Sequence, residues 1–358
     1  MATQPIPIIE ASGAHREVGH QIGEKLKPRI QRGIAEMHGE TFPLGVSWDD
    51  LIQKARLCLV HSRAAYPHLV EEMEGLAEGA GVPFEEAFLG LCEELWEPAG
   101  WRAKGCTDFA ARGRATVNGA TLIAHTNDVS PNLEEELVIM RIRVTGEPEF
   151  LGIGFGGLGF SAGFNAAGIS LTGNMVWCND IRPGVPRMLI VRAILGARRL
   201  GEAIQACLLP TRASNYNNVI ADQNGEIYSM EGSATDCEPI YIEGDILAHA
   251  NHFASPPMRA FEADRSAIAC SVIRHNRAWR LLRENFGQLS PELFRKLLAD
   301  HVNYPDSICR HSETVRTVFS IIIDLGRLTA WIGRGRPCET TFVEHTLEPW
   351  SPPGDWPQ

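Results

Sequence analysis

The 358-residue chain lacks any apolar run of the roughly 18 to 20 residues that a membrane span requires. Met1 to Ile9 shows no basic segment followed by an apolar core, so the expected setting is the cytoplasm rather than a membrane or a secretory route. Basic residues are outnumbered: 33 Lys and Arg stand against 44 Asp and Glu, a net charge of −11. That balance argues against a nucleic-acid partner held by phosphate neutralisation and favours a neutral or cationic small molecule. The nine cysteines are scattered singly with no Cys-x-x-Cys pair, which removes the usual zinc and redox-dithiol signatures. Internal repeats, low-complexity tracts and flexible linkers are all missing, and no cofactor is expected.

Material for a core is ample, with 44% hydrophobic residues. From His15 to about Glu40, Val18, Ile22, Leu26, Ile30 and Ile34 recur every four positions, as on one face of a long helix. Ser47 stands as a cap before a helix over Trp48–Ala65, Pro67 opens one through Ala80, and Pro83 opens another through Trp96. Pro98 and Gly100 break the helical pattern, and the chain beyond them is mostly strand. Asn118-Gly119 separates strand-like Cys106–Ala111 from Thr121–Thr126, a hairpin that brings Asp128 back toward Cys106. Strands are expected at 136–144, 149–154, 159–165, 168–174, 217–222, 227–231, 246–250, 317–324 and 328–333, with helices at 187–198, 200–208, 265–285 and 290–301. Antiparallel strands with helices in blocks before and between them make an α+β layered protein.

Gly152-Ile153-Gly154-Phe155-Gly156-Gly157 formally fits a dinucleotide fingerprint. Its surroundings alternate like strand and turn instead of opening a helix, so nicotinamide-dependent chemistry is a poor fit. His249 and His252 could share a metal on a helix, but strand geometry sends them to opposite faces. His301 and His311, around Ile308-Cys309-Arg310, are read the same way, and no metal ligand is assigned. Papain-like chemistry wants a cysteine at a helix N-terminus, whereas Cys106 starts a strand.

Gly105-Cys106 fits a specific mechanism. A thiol preceded by glycine can attack its own upstream carbonyl, because glycine leaves that carbonyl unshielded and permits the backbone geometry of an N-to-S acyl shift. Hydrolysis of the thioester frees the α-amine of Cys106, with an ordinary pKa near 8, to serve as base for its own thiol. The cysteine comes after a helical segment and starts a hairpin, as a self-made N-terminal nucleophile requires.

Together with Gly-His-Gln-Ile-Gly (19–23), Gly105-Cys106-Thr107, Asn118-Gly119, Asn127-Asp128, Gly163-Phe164-Asn165-x-x-Gly168, His249-Ala250-Asn251-His252-Phe253, Ser307-Ile308-Cys309-Arg310-His311 and Gly335-Arg336-Pro337, these features make almost the whole chain resemble the acyl-CoA:isopenicillin N acyltransferase family. These are self-processing N-terminal-nucleophile (Ntn) enzymes that include hydrolases of β-alanyl amines. The resemblance implies a four-layer αββα sandwich with a helical N-terminal segment. It divides the chain into residues 1–105, freed by the cut as an α chain that stays as a partner, and a catalytic core over 106–358. It implies Cys106 as nucleophile, Asp128 as holder of the amine or helper in processing, and Asn251 as donor to the oxyanion. Ser233 and Arg310 match further family positions, beside plainer readings as a turn hydroxyl and a carboxylate partner. Where the family often has an aromatic residue before the aspartate, this chain has Asn127. The expected activity is cleavage of a linear, non-peptide amide through a Cys106 thioester. Acyl-CoA-dependent transfer to a small amine and an uncleaved binding protein of the same fold are the alternatives, and assembly into identical copies is left open.

Overall fold

The computed structural model describes residues 5–41, 47–96 and 105–351. Its elements run β1 (Ile8–Gly13), α1 (His15–Thr41), α2 (Trp48–Ala65), α3 (Pro67–Ala80), α4 (Phe84–Leu91), α5 (Glu93–Trp96), β2 (Gly105–Gly113), β3 (Gly119–Val129), β4 (Leu137–Val144), β5 (Phe150–Phe155), β6 (Ala162–Asn165) and β7 (Ile169–Asn174). They continue with α6 (Arg187–Leu195), α7 (Leu200–Cys207), β8 (Tyr216–Asp222), β9 (Ile227–Gly232), β10 (Cys237–Tyr241), β11 (Ile246–His249), α8 (Ala269–Glu284), α9 (Pro291–Leu298), β12 (Arg316–Asp324), β13 (Thr329–Arg334) and β14 (Phe342–Thr346). The expected break at 97–104 lies outside the described residues.

Two sheets form, one of eight strands ordered β1-β4-β5-β6-β7-β8-β9-β10 and one of six ordered β11-β2-β3-β12-β13-β14. Period-two alternation sorts their side chains into layers. In β4, Leu137 and Ile139 face the space between the sheets, while Val138, Met140 and Ile142 pack with α1, α3 and α6. In β12, Phe319, Ile321 and Ile323 face the other sheet, while Ile322 packs with α8 and α9. The result is the expected αββα sandwich, with three hydrophobic layers between four structural ones.

The 19–23 motif proves to be a packing device. A Cβ at Gly19 would come within 1.8 Å of the Glu72 carbonyl oxygen, and one at Gly23 within 2.2 Å of that of Leu76. Gly75 and Gly79 of α3 meet α1 in the same way, so the two helices touch backbone to backbone. The five apolar residues spaced along α1 are all buried, as their period predicts.

Three strands have no counterpart in the sequence reading: β1, β10 and β14. All three are sheet edges. β1 pairs in parallel with β4, so the N-terminal segment adds a strand to the core as well as helices. The helix expected from Pro83 is interrupted at Cys92. Gly152 and Gly154 sit inside β5, the first covered by the Phe160 ring and the second by the Gly159 backbone, so this fingerprint is strand packing.

Candidate active site

β2 and β3 pair in antiparallel fashion, setting Gly105 opposite Asp128, Cys106 opposite Asn127 and Asp108 opposite His125. Alternation then divides the site. Ala110 of β2 and Ile123 of β3 lie in the layer between the sheets, so Cys106, Asp108, His125 and Asn127 share that side. Gly105, Thr107 and Asp128 lie on the other side, with Phe109 and Ala124, under α8.

On the helical side, the buried guanidinium of Arg274 ties the site together. Its Nη1 donates to the Cys106 carbonyl and, at 2.8 Å, to Thr107 Oγ1, while Nη2 donates to Asn251 Oδ1 at 2.8 Å. Asn251 Oδ1 also accepts the Cys106 backbone N–H at 2.7 Å, and Asn251 Nδ2 donates to the Met175 carbonyl at 3.0 Å. Two donors on one atom and a carbonyl at the other fix the amide's orientation. In the continuous chain Asn251 is therefore an acceptor for the nitrogen of Cys106. Its Nδ2, expected to face an oxyanion, is engaged elsewhere.

Asp128 accepts from Thr317 Oγ1 at 2.7 Å, and its Oδ2 has no partner among the described residues. Burial pushes its carboxyl up, and Arg274, Arg310 and the Thr317 hydroxyl pull it part of the way back. Gly105 lies against all three charged groups: a Cβ there would stand 3.1 Å from Arg310 Nη1, 3.2 Å from Arg274 Nη2 and 3.3 Å from Asp128 Oδ2. The residue is in ordinary strand pairing and not among the glycines of positive φ. Space, rather than the strained backbone expected from sequence, is what requires glycine here.

On the inter-sheet side, His125 Nδ1 and Asp108 Oδ1 are 2.7 Å apart and wholly buried. Burial opposes charge on the ring, but the charge and hydrogen bond of Asp108, with a further contribution from Cys106, outweigh it and raise His125 to about 10. His125 Nε2 has no partner in bonding geometry among the described residues. Asn127 Nδ2 approaches the Cys106 sulfur at 3.8 Å.

Cys106, Asp128, Asn251 and Arg310 are thus brought together with Gly105. Ser233 is not part of this contact set: its hydroxyl donates to Asp180 Oδ2 at 2.9 Å and accepts the Asp236 N–H at 3.0 Å, a turn role. His249 bridges the sheets, at 2.9 Å from Asn174 Oδ1 and 2.7 Å from Glu231 Oε1, while His252 meets Ser271 at 2.7 Å. A cavity of about 370 Å³ lined by His249, His275 and Trp279 among others does not include Cys106, which is 5% exposed. Among the described residues, two groups of side chains have the spacing to hold a metal ion, His15–His68–Glu147 and His301–Cys309–His311–Cys338.

The sequence reading missed Arg274, Asp108 and His125. Arg274 had a signal: it falls on the same helical stripe as Ser271, Ala278 and Leu281, all buried. Asp108 had one too, since it occupies the inward position two residues after Cys106.

The layered fold and a cysteine at the start of a core strand define an enzyme scaffold of the amide-processing type. The family model described as acyl-coenzyme A:6-aminopenicillanic acid acyl-transferase matches residues 115–339, and the chain belongs to that family, whose members are Ntn-type hydrolases and acyltransferases. Among characterised relatives, the chain is 26% identical over 348 residues to the 40 kDa form of acyl-coenzyme A:6-aminopenicillanic-acid-acyltransferase from Emericella nidulans, covering 94% of this chain and 95% of that protein. It is 22% identical over 382 aligned residues to the beta-alanyl-dopamine/carcinine hydrolase of Drosophila melanogaster, with coverage of 94% and 95%. A solved structure of the C2A mutant of conjugated bile acid hydrolase from Clostridium perfringens aligns with a TM-score of 0.48 at 12% identity, over 70% of this chain and 95% of that one. Among the described residues no helix is long and apolar enough to cross a membrane.

Proposed function

We propose that the protein cuts itself between Gly105 and Cys106 and then cleaves a linear, non-peptide amide through a Cys106 thioester. The observation that carries this reading is the grip on Cys106: its N–H is held by Asn251 at 2.7 Å and its carbonyl by Arg274, next to a glycine enclosed by Arg274, Arg310 and Asp128. The first step precedes any free amine and needs another partner for the thiol. The buried Asp108–His125 pair stands on the thiol's side of the sheet and supplies it as an imidazolium, which favours the ionised sulfur as it attacks the Gly105 carbonyl and can hand its proton to the departing nitrogen. Charge developing on that carbonyl oxygen is supported by the two guanidinium groups gathered at Gly105. The C–N bond breaks, the Cys106 nitrogen takes up a proton, and water hydrolyses the thioester to free the Gly105 carboxylate. The amine stays a donor to Asn251, leaving its lone pair for the thiol during turnover.

In turnover the sulfur attacks the substrate carbonyl, the substrate amine leaves, and the acyl group passes to water. The Drosophila hydrolase supports an amide of this kind, and the Emericella enzyme supports transfer to an amine as the second reading. Intact mass of wild type beside Cys106→Ala tests the first step. Dividing 39.4 kDa in proportion to 105 of 358 residues predicts fragments of about 12 and 28 kDa in the wild type and one mass in the variant. A wild type that stays whole, or a variant that is cut, would overturn the reading.

A further inference from the structure

Three remote segments meet close to Arg310. His301 lies just past α9, Cys309 and His311 flank Arg310 itself, and Cys338 lies in the loop between β13 and β14. Their donor atoms all lie within 4.8 Å of one another. His301 Nε2 is 2.9 Å from His311 Nε2, Cys309 Sγ and Cys338 Sγ are each 3.4 Å from that same nitrogen, and the two sulfurs are 3.6 Å apart.

Hydrogen bonding does not account for this arrangement. The Nε2 of His311 has at most one lone pair or one proton, yet three groups converge on it. Four ligands on the corners of a tetrahedron do account for it. With bonds of about 2.3 Å to sulfur and 2.0–2.1 Å to nitrogen, a tetrahedral site has edges of about 3.3–3.8 Å. The distance between the sulfurs and those from each sulfur to His311 Nε2 already match, the two imidazoles need to part by a few tenths of an ångström, and His301 Nε2 lies within 4.8 Å of both sulfurs.

We infer that His301, Cys309, His311 and Cys338 form a structural zinc site. Two thiolates and two imidazoles are a donor set that selects zinc over calcium or magnesium, and four protein ligands leave no open position for substrate. Binding displaces two thiol protons to solvent. With Nε2 on the metal, His311 carries its proton on Nδ1, so the present contact of Arg336 Nη1 with Nδ1 at 3.2 Å gives way. Arg336 can swing aside because it is partly exposed and already paired with Glu339. The site staples the loop whose Arg310 lies against Gly105, and the Arg310 N–H in turn bonds Thr317 Oγ1 at 3.0 Å, the hydroxyl that holds Asp128. Sequence spacing hid the cluster, because Cys338 is 27 residues beyond His311.

The inference does not depend on Cys106, and its test is kept separate. Untagged protein is expressed with added zinc, purified in reductant without chelator, and analysed for metal as wild type, Cys106→Ala, and the two exposed-ligand variants His301→Ala and Cys338→Ser. About one zinc per chain is expected in the first two, falling at least tenfold in the others. Stripped wild type given Co²⁺ should show the intense visible absorption of a tetrahedral thiolate site, a readout that survives if a variant fails to fold. Absence of both zinc and the cobalt spectrum in folded, reduced wild type overturns the inference. So does undiminished metal in folded His301→Ala and Cys338→Ser, or a Cys309–Cys338 disulfide in place of metal.

Discussion

Asn251 Oδ1 accepts the backbone N–H of Cys106 at 2.7 Å across 145 residues of chain, so the nitrogen that the proposed self-cleavage would release is already held in the continuous chain. Asn251→Ala leaves that buried donor without its acceptor, at a cost of about 1–3 kcal/mol. We expect cleavage to slow by roughly 10²–10³-fold, the scale of losing one well-placed polar group at a reacting centre. Asn251→Asp keeps an acceptor beside Arg274 and should retain more activity than alanine. A time course on denaturing gels checks both, and wild-type cleavage in Asn251→Ala would falsify the role.

Gly105→Ala separates space from backbone freedom. Its Cβ would enter at 3.1–3.3 Å from two guanidinium nitrogens and a carboxylate oxygen, tight enough that each must shift by a few tenths of an ångström. The strand conformation itself tolerates alanine, so the variant should fold with a loss within about 2 kcal/mol while cleavage falls by at least tenfold. Thermal melting and intact mass give the two readouts. A large loss of stability would mean that the backbone, rather than the enclosing charges, dictates glycine.

Asn251 was legible and Arg274 was not because their information lies in different places. Cys106, Asp128 and Asn251 sit in short strings of fixed order, and the hairpin arithmetic of β2 and β3 alone brings Asp128 beside Cys106. Arg274 touches Cys106 across 168 residues, and its only local trace is a charged residue on an apolar helical stripe. The interior strands were readable because both faces are buried and their apolar residues run almost continuously. The edge strands β1, β10 and β14 carry mixed, partly exposed residues whose identity as strands depends on a remote partner. The direction of the Asn251 amide could not be read at all, since it depends on Met175 and Arg274.

The His125–Asp108 pair predicts a pH dependence of stability. The ring's pKa is raised in the folded protein from 6.5 to about 10. Its protonation therefore contributes fully below about 6.5, and the contribution is lost as pH rises toward 10. In a Cys106→Ala background, chosen to keep the chain whole and lacking the Cys106 share of that shift, the melting temperature should still fall as pH rises above 6.5, and Asp108→Asn should flatten the slope to the part that His15 contributes. His125→Gln in the otherwise wild-type chain should process at least tenfold more slowly. A slope undiminished in Asp108→Asn, or normal processing in His125→Gln, rules the pair out as the partner of the thiol.

The two fragments should stay together after cleavage, because the N-terminal segment is built into the core. β1 pairs with β4, and His15 and Glu72 from that segment clasp Arg192 and Glu147 from the other. Arg192 meets both Glu72 oxygens at 2.8 Å and Glu147 at 3.1 Å, nearly out of water. Arg192→Ala takes the guanidinium from one buried and one half-buried carboxylate and should cost about 3–5 kcal/mol, whereas an Arg192→Met, Glu72→Gln, Glu147→Gln triple variant removes the charges along with their partner and should recover part of that loss. His15, raised to about 9 against burial by Glu147 and Glu72, adds stability that is full below about 6.5 and lost as pH passes 9. Urea midpoints and size-exclusion profiles of the cut protein report both effects. Fragments that part without denaturant, or an Arg192→Ala midpoint no different from a surface variant, would show that the clasp is not what joins them.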